Sequence, residues 1–392
     1  MKKPVYEACG IDVHKENLVV RVITRDLERN EKWTVKNTGT SIRLLIKQLQ
    51  NYGVEKVGFE STGSYWELLH DLLEPHFDVT LANARQTRAL PGDPKTDGRD
   101  ALWIAKLLAR GMLRKSYVPP QDQRQLRGLC RLKASLKKEL TRYLNKQHVL
   151  LDRWDINFAG MFSQIDTQVC QYLLKKRSEG KTLDGAIAEA PDKRKVSKLE
   201  SKREELARYF AREFPEVAGI ELGVLCDIVA SHQQQINRLE TVISQLATRV
   251  GLDEKTEVIE EIYGIGRDSA IALLVETGEM EKFATGRQLV AWSGLNPFVY
   301  QSAGKNYTGK ITKCGNKHVR RILHNSARIC VKDKNSALYE FYERVKKRQG
   351  GPRALVALMA KLLRVIHVLL TKGVKYERYP QKVKKRSVAR AV

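Results

Sequence analysis

One stretch sets the strongest limit on the architecture. Leu222, Leu225, Val229, His232, Ile236, Leu239, Ile243, Leu246 and Val250 are separated by alternating steps of three and four residues. Such spacing puts all of them on one seam of a single long helix, and an apolar seam of four heptads has to be covered by another helix. A second run, Leu126, Leu129, Leu136, Leu140, Tyr143, Leu150 and Trp154, keeps mostly the same steps, with Lys133 and Gln147 interrupting it. Two readings are open: a coiled coil, within or between chains, or two amphipathic helices packed in one bundle. His232, the polar member of the seam, reads as a register-setting or solvent-edge residue, not a ligand. Between the runs, residues 175–208 are highly charged around Asp192-Lys193-Arg194-Lys195 and read as a mobile basic insertion or a further helix.

Upstream of Val118-Pro119-Pro120 the pattern is different, and the two prolines mark a domain edge. Residues 6–13 and 17–23 read as strands joined tightly through His14-Lys15-Glu16, a hairpin. Glu31–Val35 reads as a third strand. Ser41 to Asn51 has helical spacing, with Ser41 as its N-cap. Lys56–Glu60 reads as a strand, Tyr65–Leu73 as an amphipathic helix and Phe77–Ala82 as a fifth strand. Asp97 and Asp100 open a last helix that continues through Ala101, Leu102, Ile104, Ala105, Leu107 and Leu108 to Gly111. Three strands, then helix, strand, helix, strand, helix is the order of an RNase H-like fold.

The acids stand out against that frame. Asp12 and Glu60 each end an apolar strand, a poor place for core packing, and sites in open sheets gather at adjacent strand ends. Asp97 and Asp100, three apart, share a helix face. Either they form a cap and a solvated acid, or they join Asp12 and Glu60 around cations. Four such carboxylates repel unless neutralised, and hard oxygen donors suit Mg²⁺ or Mn²⁺. Two such ions, roughly 3.5–4 Å apart, can clamp a phosphodiester.

Gly10-Ile11-Asp12-Val13-His14-Lys15, Phe59-Glu60-Ser61-Thr62-Gly63 and Lys95-Thr96-Asp97-Gly98-Arg99-Asp100-Ala101 together resemble the RuvC-like DEDD domain of the "one-ten" family of insertion-sequence transposases. The resemblance puts the four family acids on Asp12, Glu60, Asp97 and Asp100.

The third region opens with Ile262-Tyr263-Gly264-Ile265-Gly266 before an apolar helix. This resembles a helix-hairpin-helix, in which glycines and a helix N-terminus approach a phosphate; the other reading is a plain glycine turn. Leu289–Pro297, Tyr300-Gln301-Ser302-Ala303-Gly304-Lys305 and a glycine- and lysine-bearing loop through Lys313-Cys314-Gly315-Asn316 follow. The next helix carries Lys317, Arg320, Arg321, His324 and Arg328, read as a cationic stripe beside a serine loop. This block is similar to the C-terminal serine domain of the same family, with Gly-Leu-x-Pro, Gln-Ser-Gly and Gly-Asn-x-x-x-Arg as its signature. That resemblance puts the nucleophile on Ser302 and departs from the signature at Ala303, which stands before Gly304. Gly264, Gly266, Lys305, Lys313, Lys317, Arg320, Arg321 and Arg328 are the candidate nucleic-acid contacts.

Charge agrees with a polyanionic partner: 70 Lys and Arg against 45 Asp and Glu give a net charge of +25. Six cysteines form neither a CxxC pair nor a zinc spacing and read as thiols of a reducing cytoplasm. The N-terminus lacks the apolar core of a signal peptide. Leu355–Leu370 is interrupted by Lys361, Arg364 and His367 and reads as an amphipathic helix, not a membrane span. The basic end from Lys372 reads as a disordered tail.

The expected architecture is α/β plus all-α: a RuvC-like domain (1–118), a helical coiled-coil middle (119–250) and a helical serine domain with a helix-hairpin-helix (251–392). The resemblance implies a bacterial or archaeal, nucleoid-associated DNA recombinase of an insertion sequence. It implies metal-dependent strand exchange through Ser302, donor and target DNA, a structured guide (bridge) RNA, and a tetramer in which acids of one subunit face the serine of another. Two other readings stay open: a structure-selective endonuclease using metal-activated water, and a non-catalytic nucleic-acid scaffold.

Overall fold

A computed structural model describes residues 6–24, 30–61, 63–82, 97–156, 162, 164–191, 193–302 and 305–377. Lys95, Thr96, Thr62, Ala303, Gly304 and the basic end from 378 lie outside the described residues, as do the side chains of Asp97, Ser302 and Lys305. The chain divides into two compact units, Met1–Gln121 and Asp122–Val392.

The first unit is a mixed sheet with helices. Strands β1 (Tyr6–Val13), β2 (Asn17–Thr24) and β3 (Asn30–Lys36) precede α1 (Gly39–Asn51), β4 (Lys56–Glu60), α2 (Trp66–Leu73), β5 (Asp78–Ala82) and α3 (Asp97–Ala109). The sheet order is β3-β2-β1-β4-β5. β1–β2 and β2–β3 are antiparallel; β1–β4 and β4–β5 are parallel. The element order is the one the apolar patterning predicts.

Period-two alternation sorts each strand between two faces. Cys9, Ile11, Val13, Val57 and Phe59 are buried in one cluster with Ile42, Leu45 and Leu49 of α1 and Leu69 and Leu73 of α2. Ala8 and Ile23 are buried in another with Ala105 and Leu108 of α3. One expected detail changes. The side chain of Thr38, not Ser41, caps α1 by accepting from Ser41 N–H. The helix starts earlier than its first apolar residue, so the cap sits one turn ahead of the hydrophobic pattern.

Among the described residues, the second unit is helical apart from one hairpin. Its elements are α4 (Gln121–Arg153), α5 (Gln168–Ser178), α6 (Leu183–Ala188), α7 (Lys193–Glu200), α8 (Arg203–Phe210), α9 (Glu216–Arg249), α10 (Asp253–Glu260), α11 (Arg267–Thr277), α12 (Gly286–Ser293), β6 (Pro297–Ser302), β7 (Lys305–Ile311), α13 (Lys317–Cys330), α14 (Ala337–Gln349) and α15 (Gly351–Lys372). The described residues of the charged segment 175–208 fall mostly in the four short helices α5 to α8, which bury Leu183, Ala186, Leu199 and Leu206.

The two long helices pair within the chain, and they run antiparallel. Leu126 and Cys130 of α4 share a buried cluster with Ile243 and Ala247 of α9. Lys133 Nζ lies 3.9 Å from Glu240, Tyr143 packs against His232 with tilted rings 5.4 Å apart, and Gln147 donates to Cys226 Sγ. Leu150 is buried with Leu222 and Leu225. Lys133 and Gln147, which look like breaks in the heptad pattern, are therefore on the buried seam. Each is tolerated because it meets a polar partner: Lys133 also pairs with Asp268 at 2.8 Å, and Gln147 exchanges hydrogen bonds with Gln171. His232 accordingly sits in the seam, its Nδ1 2.8 Å from the Ile228 carbonyl oxygen.

α15 is apolar and long enough to span a bilayer by length and composition. In the fold its Leu358, Leu362, Leu363 and Ile366 are buried in the core built with Ile259, Leu273, Leu289 and Leu323.

Candidate catalytic and nucleic-acid-binding sites

In the first unit, β1 and β4 run parallel in the register Gly10↔Gly58 and Ile11↔Phe59. The next residue on each strand is Asp12 and Glu60. Side chains at matching positions of neighbouring strands project to the same face, so these two acids share the face that carries α3. The glycines two residues earlier let α3 come close. A Cβ on Gly10 would stand 2.0 Å from the Ala101 carbonyl oxygen and 2.5 Å from Ala105 N; one on Gly58 would stand 3.3 Å from Ile104 Cγ2.

Going back along β1 from Gly10 to Ala8, the α3 neighbours shift from Ala101 and Ala105 to Ala105 and Leu108. α3 therefore runs against β1, and its first turn, with Asp97 and Asp100, heads toward the strand ends that carry Asp12 and Glu60. Asp12, Glu60 and Asp100 are all partly exposed. His14, which the motifs leave without a role, reaches Asp12 Oδ2 with Nε2 at 3.1 Å. Among the described residues, no three His, Cys, Asp or Glu side chains are close enough to hold a metal ion. The donor chemistry nonetheless fits a hard cation: two strand ends and a helix start each offer carboxylate oxygens.

In the second unit the serine block is a hairpin rather than a loop. β6 and β7 pair antiparallel from Pro297↔Ile311 to Ser302↔Lys305, so Ser302 closes the ladder at the turn. Neither strand shows clean hydrophobic alternation, which is why the sequence reads as a loop here. Ser293, the other serine of the block, is buried and donates from Oγ to the Val290 carbonyl oxygen at 2.7 Å. It is spent on closing α12.

The signature residues around the hairpin hold α12 against α13. Gly294 adopts φ +74°, and a Cβ on Gly315 would stand 2.3 Å from the Trp292 carbonyl oxygen. Lys313 N–H bonds to the Gly294 carbonyl oxygen, and Thr312 Oγ1 pairs with Asn296 Oδ1 at 3.1 Å. Asn316 caps α13, accepting from His318 and Val319 N–H. Arg320 leaves the expected stripe: its Nη1 donates to the Ser293 carbonyl oxygen at 2.8 Å, satisfying the end of α12. The exposed stripe is thus Lys317, Arg321, His324 and Arg328, at steps of four, three and four.

Gly264, expected to admit a phosphate, has φ +96° and faces protein: a Cβ there would stand 2.9 Å from the Ser326 carbonyl oxygen and 3.0 Å from Cys330 N. Its bare α-carbon lets the turn between α10 and α11 dock on α13. Gly266 is exposed with open space around it and begins α11. The turn therefore docks on the buried side of α13, where Ser326 and Cys330 lie, and not on the face that carries Lys317, Arg321, His324 and Arg328.

A buried ionic group has no counterpart in the sequence motifs. The Glu276 carboxylate, 2% exposed, accepts two hydrogen bonds from Arg131 at 2.7 and 2.8 Å and one from Asn316 Nδ2 at 2.7 Å, with Arg127 Nε at 3.9 Å. Burial alone would raise its pKa, yet these donors hold it below the usual carboxylate range. Arg127 and Gln123 of α4 also donate to the last carbonyls of α11. Arg127 and Arg131 are one helical turn apart, a spacing visible in the sequence; their partner lies about 145 residues away and is not.

Comparison with known proteins now says what class of protein carries these sites. A transposase profile of the DEDD IS110 type matches residues 9–154, and the profile of the IS116/IS110/IS902 transposase family matches residues 256–343. The chain is 26% identical over 381 residues to a probable family 20 transposase of Pseudomonas aeruginosa, covering 96% of both. It is 23% identical to the transposase for insertion sequence element IS1111A of Coxiella burnetii, covering 95% of this chain and 89% of that one. It is 22% identical to the pilin gene-inverting protein of Moraxella lacunata, covering 92% of this chain and 94% of that one. The protein is a transposase, an enzyme of DNA recombination. It belongs to the IS110 family of insertion-sequence transposases. That family implies DNA as substrate and a divalent metal as cofactor.

Proposed function

We propose that this transposase cuts and rejoins DNA through Ser302, with Asp12, Glu60, Asp97 and Asp100 of an RNase H-like domain holding Mg²⁺ or Mn²⁺. A bound divalent cation supplies positive charge at the phosphate and lowers the cost of forming an alkoxide. The Ser302 oxygen bonds to phosphorus, the bond from phosphorus to one deoxyribose oxygen breaks, and that oxygen leaves as a hydroxyl after taking a proton. The phosphoserine ester conserves the bond energy, and attack by a DNA hydroxyl reverses the step onto a new strand. Lys317, Arg321 and Arg328, with Lys305 and Lys313 beside the hairpin, neutralise backbone phosphates. Arg320 acts one step back, fixing α12 against α13.

The observation that carries this reading is the common face shared by Asp12 and Glu60 at adjacent strand ends, with the first turn of α3 directed to it. In the proposed assembly, a tetramer, acids of one copy serve the serine of another. A structured RNA from the element chooses donor and target DNA, and the net charge of +25 suits both polyanions. The middle helices and the serine region are functional divisions of the second unit, near residues 119–250 and 251–392.

The test is a covalent adduct. Incubated with element-end DNA and Mg²⁺, the protein forms a DNA-linked species that survives denaturant, and Ser302→Ala does not. Cleavage that persists in Ser302→Ala without adduct would replace this reading with metal-activated water.

A further inference from the structure

We propose that Phe298 is a stacking platform for an unpaired base of the DNA strand presented to the serine hairpin. This rests on the reading above that the hairpin meets DNA.

Phe298 is 55% exposed. Its setting is built rather than incidental. Between the pairs Pro297↔Ile311 and Val299↔Thr308 the register shifts, so Phe298 alone faces both Gly309 and Lys310. This is a β-bulge, a device that bends a ribbon and re-aims a side chain, and bulges gather beside active sites. The bulge puts a glycine across from the ring: Phe298 Cδ1 lies 4.0 Å and Cβ 3.8 Å from where a Gly309 Cβ would stand. The ring is seated on bare backbone and keeps more than half its surface open.

What surrounds it selects the occupant. Lys310, across the bulge from it, is exposed, as are Lys313 and Cys314 just past the end of β7. A protein-docking patch has a contiguous apolar centre with few charges; among the described residues across from this ring are a glycine and a lysine. An aromatic face flanked by cations is the arrangement that takes single-stranded nucleic acid, the ring for a base and the charges for its phosphates. Position favours the strand being cut. Phe298 precedes Ser302 by four residues on β6, roughly 13 Å at about 3.3 Å per residue. Stacked DNA rises about 3.4 Å per nucleotide, so the platform and the serine are about four nucleotides apart. Breaking and rejoining strands requires local unpairing, and a ring at this distance would hold one freed base.

The test measures binding of the full-length protein to a short oligothymidylate carrying one 2-aminopurine, whose fluorescence falls when it stacks. Wild type quenches the probe, and so does Phe298→Trp. Phe298→Ala loses the quench and binds the oligonucleotide on the order of tenfold more weakly, while its affinity for an intact duplex and its thermal midpoint stay at wild-type values. The proposal fails if Phe298→Ala keeps the quench and the affinity, if duplex binding falls by the same factor, or if quenching occurs only with the matching oligoribonucleotide. The same measurement on Ser302→Ala protein should still show the quench. Loss of adduct chemistry and loss of stacking are thus separate failures.

Discussion

Glu276 Oε2 accepts a hydrogen bond from Asn316 Nδ2 at 2.7 Å, while the other end of the same amide, Asn316 Oδ1, caps α13. One buried carboxylate therefore fixes which way the cap points, and with it the start of the helix that presents Lys317 and Arg321. Glu276→Ala strands Arg131 beside a void and frees Asn316 to turn. The expected loss is about 3–5 kcal/mol of stability, read from the urea midpoint. Glu276→Gln, which keeps the shape and one acceptor, loses less. A Glu276→Gln variant as stable as wild type would show that the charge is irrelevant.

The same group gives the second unit an acid limit. Burial alone would raise the carboxyls of Glu276 and Asp268, but Arg131 and Asn316 hold the first, and Lys133 and Lys137 the second, below the ordinary range. A folded pKa below the unfolded one adds stability that is fully present above the unfolded value and is lost as pH falls through the folded value. Unfolded Asp and Glu titrate at about 3.9 and 4.3. The urea midpoint should be flat in this respect above about pH 5 and fall as the pH drops below about 4. Glu276→Gln should show a shallower fall, and an unchanged slope would remove Glu276 as its source.

Gly10 tests the seating of α3. A methyl group there would meet the Ala101 carbonyl oxygen and Ala105 N far inside contact distance. Gly10→Ala has to lift the helix that carries Asp97 and Asp100, at a cost of about 1–3 kcal/mol or more. Strand exchange should be lost even at temperatures where the variant stays folded by circular dichroism. Wild-type recombination in folded Gly10→Ala protein would mean that the helix and the strand ends do not work as one site.

The acids can be separated from folding directly. Asp97→Asn with Asp100→Asn should abolish Mg²⁺-dependent adduct formation and weaken Mn²⁺ binding measured by calorimetry, leaving the thermal midpoint near wild type. Chelation of divalent ions by EDTA should give the same loss in the unchanged protein, restored by added Mg²⁺. Full exchange activity in the double variant would end the four-acid assignment.

Arg320 and Arg321 are neighbours in sequence with different expected roles. Arg321→Ala should weaken nucleic-acid binding with little effect on stability. It should also lower the slope of log affinity against log salt by about 0.9 for each duplex phosphate that is no longer neutralised. Arg320→Ala should instead lower the melting temperature, because the Ser293 carbonyl is left without its donor. If both variants change only the salt slope, α12 is closed some other way.

Much of the first unit is legible in the sequence because its central strands are short apolar runs, buried on both faces, with turn residues between them. Gly10-Ile11-Asp12-Val13 already states the outcome: glycine and aspartate on one face, isoleucine and valine on the other. The family motifs supply what periodicity cannot, namely which acids matter. Pair relations across long separations stay hidden. Lys133 looks like a defect in a heptad because Asp268 and Glu240 are more than a hundred residues away. Arg320 looks like one more phosphate contact because nothing local shows that a carbonyl at Ser293 needs a donor. The hairpin at 297–311 is hard to see because glycine and lysine within β7 mimic a loop, and a bulge at Gly309 breaks the alternation that would mark a strand.

The antiparallel seam of α4 and α9 carries a rule about length. Its polar contacts, Lys133 with Glu240 and Gln147 with Cys226, are separated by fourteen residues on each helix. Removing a single residue between them on either helix would rotate one polar side chain out of its slot and set it against aliphatic neighbours such as Ile236 or Leu222. Relatives of this transposase can therefore lengthen or shorten this arm only by whole sevens, taken from both helices at once. The reach between whatever the two ends of the arm hold then changes in jumps of about 10 Å.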